Sequence, residues 1–137
     1  MTTQRDWSFG QHTARFEPPD LVLAKFKGPT NLNDAKRAIE IYKEVAAKGQ
    51  FFLIVDVSES EIDKAAREHL TQNVRTEWLL GVVYVGAGFV QKAATKAITL
   101  AFYASGKTTV DFLFANSEEE ARALYKRKKL AASAKAS

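Results

Sequence analysis

Asp56, Glu59, Glu61 and Asp63 follow closely behind the apolar run Phe51-Phe52-Leu53-Ile54-Val55. Paired carboxylates do acid/base work when burial separates their pKa values. At the exit of a strand and the start of a helix, the same residues are more often a solvated loop and a helix cap, and we favour that assignment. Ser58 and Ser60 stand among them. A phosphate on either hydroxyl would add about −1.5 to −2 charges, but serines at a strand exit usually act as caps. His12 and His69 are the only histidines, and no second ligand stands at metal-binding spacing from either. We expect surface or internally satisfied imidazoles and no metal. The absence of cysteine removes thiol nucleophiles, disulfides and thiolate metal sites. No catalytic residue and no cofactor is assigned.

Two further stretches invite chemistry. Gly86-Ala87-Gly88 joins a strand to a helix, where free N–H groups can hold an anion. No Lys-Ser/Thr follows, so it is not a P-loop, and Val90 and Gln91 stand where a dinucleotide fingerprint needs its third glycine. Gly86 and Gly88 are therefore a weak anion-site candidate beside the plainer role of a tight turn. Lys126-Arg127-Lys128-Lys129 could meet anionic lipid or nucleic acid. A solvated helix end complementing the dipole is the simpler account, and only Tyr125 offers an aromatic ring for base stacking. Trp78, Phe89 and Tyr103 lie off the main apolar stripes. They line a pocket or fill the core beneath loops, and we favour the core.

The 137 residues are 46% hydrophobic, which suits one domain with one sizeable core. The net charge is +4, but residues 126–137 hold five cations and no acid, leaving 15 basic and 16 acidic side chains on the first 125. A body of net charge −1 does not point to nucleic acid. The polar N-terminus lacks a signal-peptide core, and no apolar run approaches the roughly 20 residues that span a bilayer. Stable membrane insertion is not expected, and a cytoplasmic location fits the missing cysteines.

The elements that must position these residues follow from periodicity. Residues 6–17 alternate with a change of phase near Gly10, predicting one strand with a bulge. Glu17-Pro18-Pro19-Asp20 marks a turn, and residues 21–27 alternate again, predicting an antiparallel pair at a sheet edge with Lys25 and Lys27 suited to it. Asn31 caps a helix carrying Leu32, Ala35, Ile39, Tyr42 and Ala46 at helical spacing, stopped by Gly49. The run 51–57 reads as a strand buried on both faces. Residues 62–77 predict a second helix with the stripe Ile62, Ala66, Leu70 and Val74, capped by Asp63 or Ser60. Residues 81–86 predict another buried strand, Phe89 to Ser105 a helix, and 109–115 a strand near an edge. Ser117-Glu118-Glu119-Glu120 opens the last helix as a capping box. Residues 1–127 form the domain, and 128–137 are a basic tail expected to fray or be disordered.

The order β-β-α-β-α-β-α-β-α, with Val55-Asp56-Val57-Ser58 before the second helix and Ser117-Glu118-Glu119-Glu120-Ala121 opening the last, resembles the STAS domains of anti-sigma-factor antagonists, the SpoIIAA-like fold. It is most similar to small bacterial STAS/SEC14-like proteins over residues 8–127. The resemblance implies an α/β fold, with a mixed five-stranded sheet and four helices. Antagonists of that family carry a phosphorylated hydroxyl in an Asp-Ser-Ser/Thr-Gly step at the head of the second helix. Here the stretch is Ile62-Asp63-Lys64-Ala65-Ala66, so Asp63 is kept and the switch hydroxyl is missing.

A non-enzymatic STAS-like module that docks a protein partner or a small apolar ligand is the leading expectation. Its face is the end of strand 51–57, with Thr30, Asn31, Asp56, Ser58, Asp63, Lys64 and Arg67. A second possible site is an apolar pocket between the sheet and helices 62–77 and 89–105. The alternative is a small hydrolase or isomerase using Asp56 and Asp63.

Overall fold

The computed structural model describes residues 4–86 and 112–136. Its strands are β1 (Arg5–Phe9), β2 (His12–Glu17), β3 (Leu21–Thr30), β4 (Phe51–Ile62), β5 (Leu79–Val85) and β6 (Phe112–Ala115). The helices are α1 (Leu32–Ala46), α2 (Lys64–Asn73) and α3 (Glu118–Ala136), with a 3-10 turn at Thr76–Trp78. The expected helix from Phe89 to Ser105 lies outside the described residues, as do Gly88 and residues 109–111.

All six strands form one sheet in chain order, from β1 at one edge to β6 at the other. The first two junctions are antiparallel, and β3 through β6 run parallel. The fold is thus α/β with a mixed sheet, but the described residues supply six strands rather than five. The extra strand comes from the phase change near Gly10. Instead of a bulge, Gly10 (φ 61°) and Gln11 turn a hairpin, and Phe9 pairs with His12. Antiparallel partners face the same way, so Trp7 lies opposite Ala14 and both enter the core. The hairpin also moves β3 inward, between β2 and β4. Lys25 and Lys27 therefore do not guard an edge. Both are exposed, and among the described residues no helix packs over Lys25.

Successive parallel strands advancing in one direction through right-handed crossovers place their helices on one face. There α1 and α2 pack together, closing a core of Trp7, Phe16, Val22, Phe26, Ile41, Tyr42, Phe51, Leu53 and Val55. The opposite residues of the same strands, Leu21, Phe52, Ile54, Val83 and Val85, form a second core under Ala121, Leu124 and Tyr125 of α3. The uninterrupted apolar run 51–55 is the direct consequence of a strand covered on both sides.

Three boundaries move. Strand β4 does not leave the sheet after Val57. It runs to Ile62 because β3 also continues, through Thr30, and pairs with it. Helix α2 is correspondingly shorter than 62–77, and Val74 ends it in an extended conformation. Helix α3 continues to Ala136, through the Lys/Ala/Ser stretch expected to fray. Its start follows the motif, since Glu120 N–H donates to Ser117 Oγ at 3.1 Å and Asn116 N–H to the Glu120 carboxylate at 3.1 Å.

Candidate functional site

Strand β5 stops pairing with β4 at Asp56, opposite Val85, while β3 and β4 run on together. The overhanging two-stranded ribbon begins with a register shift. Lys25 pairs with Asp56 but Lys27 with Glu59, so β4 carries one extra residue. The Asp56 carboxylate holds that irregularity, accepting Ser58 N–H at 3.0 Å and Ser58 O–H at 2.6 Å through one oxygen. Gly86 follows β5 with φ 69° and donates its N–H to Ala115 O. A Cβ there would lie 2.4 Å from Ser58 Cβ, so only glycine lets the chain pass Ser58.

At the far end of the ribbon the structure gathers several of the residues expected there. Thr30 pairs with Ile62, and Asp63 N–H donates to Thr30 O at 3.1 Å. Buried hydroxyls of Thr30 and Ser60 lie 2.9 Å apart. Asn31 caps α1 in a reciprocal box with Asp34, and Asp63 caps α2 through Ala66 N–H at 2.7 Å. Lys64 is exposed, 3.9 Å from Glu68, and Arg67 is half-buried one turn into α2. The assembly brings Thr30, Asn31, Asp63 and Lys64 together, and the Thr30 hydroxyl, Asn31 Oδ1 and Asp63 Oδ1 each take part in a hydrogen bond there. Ser60 does not cap α2, because it faces Thr30 inside the ribbon.

Asp56 points to the other face, where a cleft of about 340 Å³ opens between α3 and the neighbouring strands. Its lining includes Leu23, Ile54 and Val85, with Asp6, Ser8, Thr13, Arg15, Lys25 and Asp56 on the strands and Glu118 and Arg122 on α3. Arg122 builds the helix wall. It grips Glu17 through both terminal guanidinium nitrogens, at 3.0 and 2.7 Å, and reaches Glu118 with Nε at 3.1 Å. Hydrogen bonding to Arg122 holds the Glu17 carboxyl below its ordinary range, and the same bond raises the guanidinium pKa. Further along, Tyr125 O–H and Lys129 Nζ both donate to Asp20. Burial, then the bond to Asp20, pushes the Tyr125 phenol up. Arg15 forms an ion pair with Asp6 at 2.8 Å, whereas the Lys25 ammonium group forms none with another described residue.

His12 proves to be a core residue, 2% exposed, between the rings of Phe9 and Phe26. Lys27 N–H donates to its Nδ1 at 3.0 Å, which leaves Nε2 to carry the proton toward Asp34 Oδ2 at 3.1 Å. Both nitrogens are engaged, so the ring offers no free base. His69 is half-buried beside Asn73 on α2. Among the described residues no cluster of His, Asp or Glu could hold a metal, and no helix is long and apolar enough to cross a membrane.

Trp78 lines a second cleft of about 470 Å³ at the other end of the molecule, with Ile39, Lys43, Val74 and Arg75. Phe89 and Tyr103, and the helix that would close the expected apolar pocket, lie outside the described residues. Sequence reasoning missed the wall of the first cleft. Lys25 and Leu23 were legible as one face of an alternating strand, but the Glu17–Arg122 clamp joins positions 105 apart and carries no local signal. No family model matches the sequence, and no curated protein matches it.

Proposed function

We propose that the chain is a non-enzymatic, STAS-like binding module that seats its partner at the cleft beside α3, with the β3–β4 ribbon as its rim. The cleft carries the proposal: it is concave, has apolar residues in its lining, and is edged by both signs of charge, the composition of a recognition site. Asp56 belongs to the cleft and, through Ser58, to the ribbon, which links the residues picked out by sequence to the concavity. The α2 cap made by Asp63 supports this reading over a hydrolase or isomerase built on Asp56 and Asp63. The resemblance to STAS domains supports a docking role, and a small amphipathic molecule or one partner side chain suits the cleft volume.

A photo-reactive amino acid decides between sites. Thr13 is exposed and lines the cleft, while Lys36 is exposed on α1. Irradiated cells producing the Thr13 variant should yield one defined adduct, protein or small molecule, that the Lys36 variant does not. Lys25→Glu should reduce that adduct. Identical adducts from both positions, or none from Thr13, would remove the cleft from consideration.

A further inference from the structure

Helix α3 presents two different sides. Ala121, Leu124 and Tyr125 face the second core, and Lys129 is tied to Asp20. On the outward side Lys126 and Arg127 are exposed, and neither pairs with another described residue. Leu130 follows at four and three residues' distance, so it shares their surface. It is 70% exposed, whereas the other exposed large apolar residue among those described, Leu32, is only 36% exposed. The helix dipole accounts for cations only in the last turn. Because α3 runs on to Ala136, Lys126 and Arg127 stand more than two turns before its end, and the dipole does not explain them.

We propose that this outward face of α3 docks the protein peripherally on an anionic membrane surface, with Lys126 and Arg127 on lipid headgroups and Leu130 entering the interface between them. The chemistry favours lipid over nucleic acid. A bilayer surface offers negative charge and, beneath it, an apolar layer for Leu130. A phosphodiester backbone would use the cations and leave the leucine in water. Residues 126–137 hold five cations and no acid, while the first 125 residues carry −1. The attraction is therefore local to this helix. Each Lys or Arg near an anionic leaflet is worth about 1 kcal/mol, roughly fivefold in partitioning. So few charges with a single leucine give weak, salt-sensitive, reversible attachment and no insertion.

Vesicle co-sedimentation of the full chain tests this. The probes are phosphatidylcholine vesicles with and without roughly one-third phosphatidylserine, at about 0.1 M salt, where the screening length is about 10 Å. The protein should pellet with the anionic vesicles alone and be released near 0.5 M salt. Lys126→Glu with Arg127→Glu should weaken partitioning at least about 25-fold, twice the single-charge effect in logarithmic terms. Leu130→Ser should weaken it severalfold while leaving the salt dependence intact. All three positions are exposed, so circular dichroism should be unchanged. Absence of sedimentation with anionic vesicles, equal binding to neutral ones, or an unaffected double variant would each overturn the proposal. Duplex DNA or RNA binding that the same double variant abolishes, without vesicle binding, would reassign the face to nucleic acid.

Discussion

Replacing His12 by phenylalanine should destabilise the protein by about 3 kcal/mol, and the figure follows from its two hydrogen bonds. Phenylalanine approximates the ring's volume and can keep the contacts to Phe9 and Phe26, at centroid distances of 5.3 Å for each. It cannot accept from Lys27 N–H. A donor left without a partner in a part-buried site costs about 1–3 kcal/mol, and this site, with a ring 2% exposed, lies toward the middle of that range. The bond from Nε2 to the Asp34 carboxylate is also lost. Bonds to charged groups contribute about 1.5–3 kcal/mol, but the Asp34 side chain is 19% exposed and keeps its bond from Asn31 N–H. Water can replace part of what it loses, so about 1 kcal/mol is taken here. At about 4 °C per kcal/mol for a chain of this size, the melting temperature should fall by about 12 °C. Urea denaturation of His12→Phe, Asp34→Ala and the double variant should show non-additivity, because the two residues share one contact. A loss below about 0.5 kcal/mol in His12→Phe would refute the account of His12 as a peg between the hairpin and α1, given the minimum cost of an unsatisfied donor. Full stability with lost adduct formation would instead make His12 part of the binding site.

Two more outcomes are expected. The Glu17 carboxyl is held below its unfolded pKa by Arg122, so the pair's stabilisation is present above pH ~4.5 and disappears as pH falls through the lowered folded value. Both side chains are partly exposed, so the effect should stay under about 1 kcal/mol; urea midpoints at successively lower pH should fall for the native protein and flatten for Glu17→Gln, and equal slopes would show that the clamp contributes nothing. Gly86→Ala should cost more than about 2 kcal/mol by chemical denaturation, combining a left-handed backbone penalty of about 1–2 kcal/mol with a Cβ 2.4 Å from that of Ser58; near-native stability would mean that the passage past Ser58 has room to relax.

The buried strand, the two helices capped by Asn31 and Asp63 and the opening of the last helix at Ser117 were all legible along the chain. Each depends on residues within a few positions of one another: an unbroken apolar run, a capping side chain, a stripe at helical spacing. The same local rules misplaced the first strand. A bulge and a two-residue hairpin both change the phase of alternation, and only the pairing of Trp7 with Ala14 distinguishes them. They also ended β4 too early, because polar Ser58–Glu61 looks like a loop until β3 is found running beside it.

Composition and periodicity by themselves determined an α/β chain with two-sided burial of residues 51–55 and a last helix that turns basic toward its end. Tertiary structure decided the rest. It made His12 a core residue by setting Lys27 N–H and Asp34 on its two nitrogens. It drew Asn31, Asp63 and Thr30 into hydrogen bonds that cap α1, cap α2 and tie β3 to β4. It created the cleft by laying α3 over only part of a face and fastening Arg122 to Glu17. The physical reason is common to all three. Hydrogen-bond satisfaction and concavity depend on groups distant in sequence, whereas caps and amphipathic stripes are completed within a turn or two of chain.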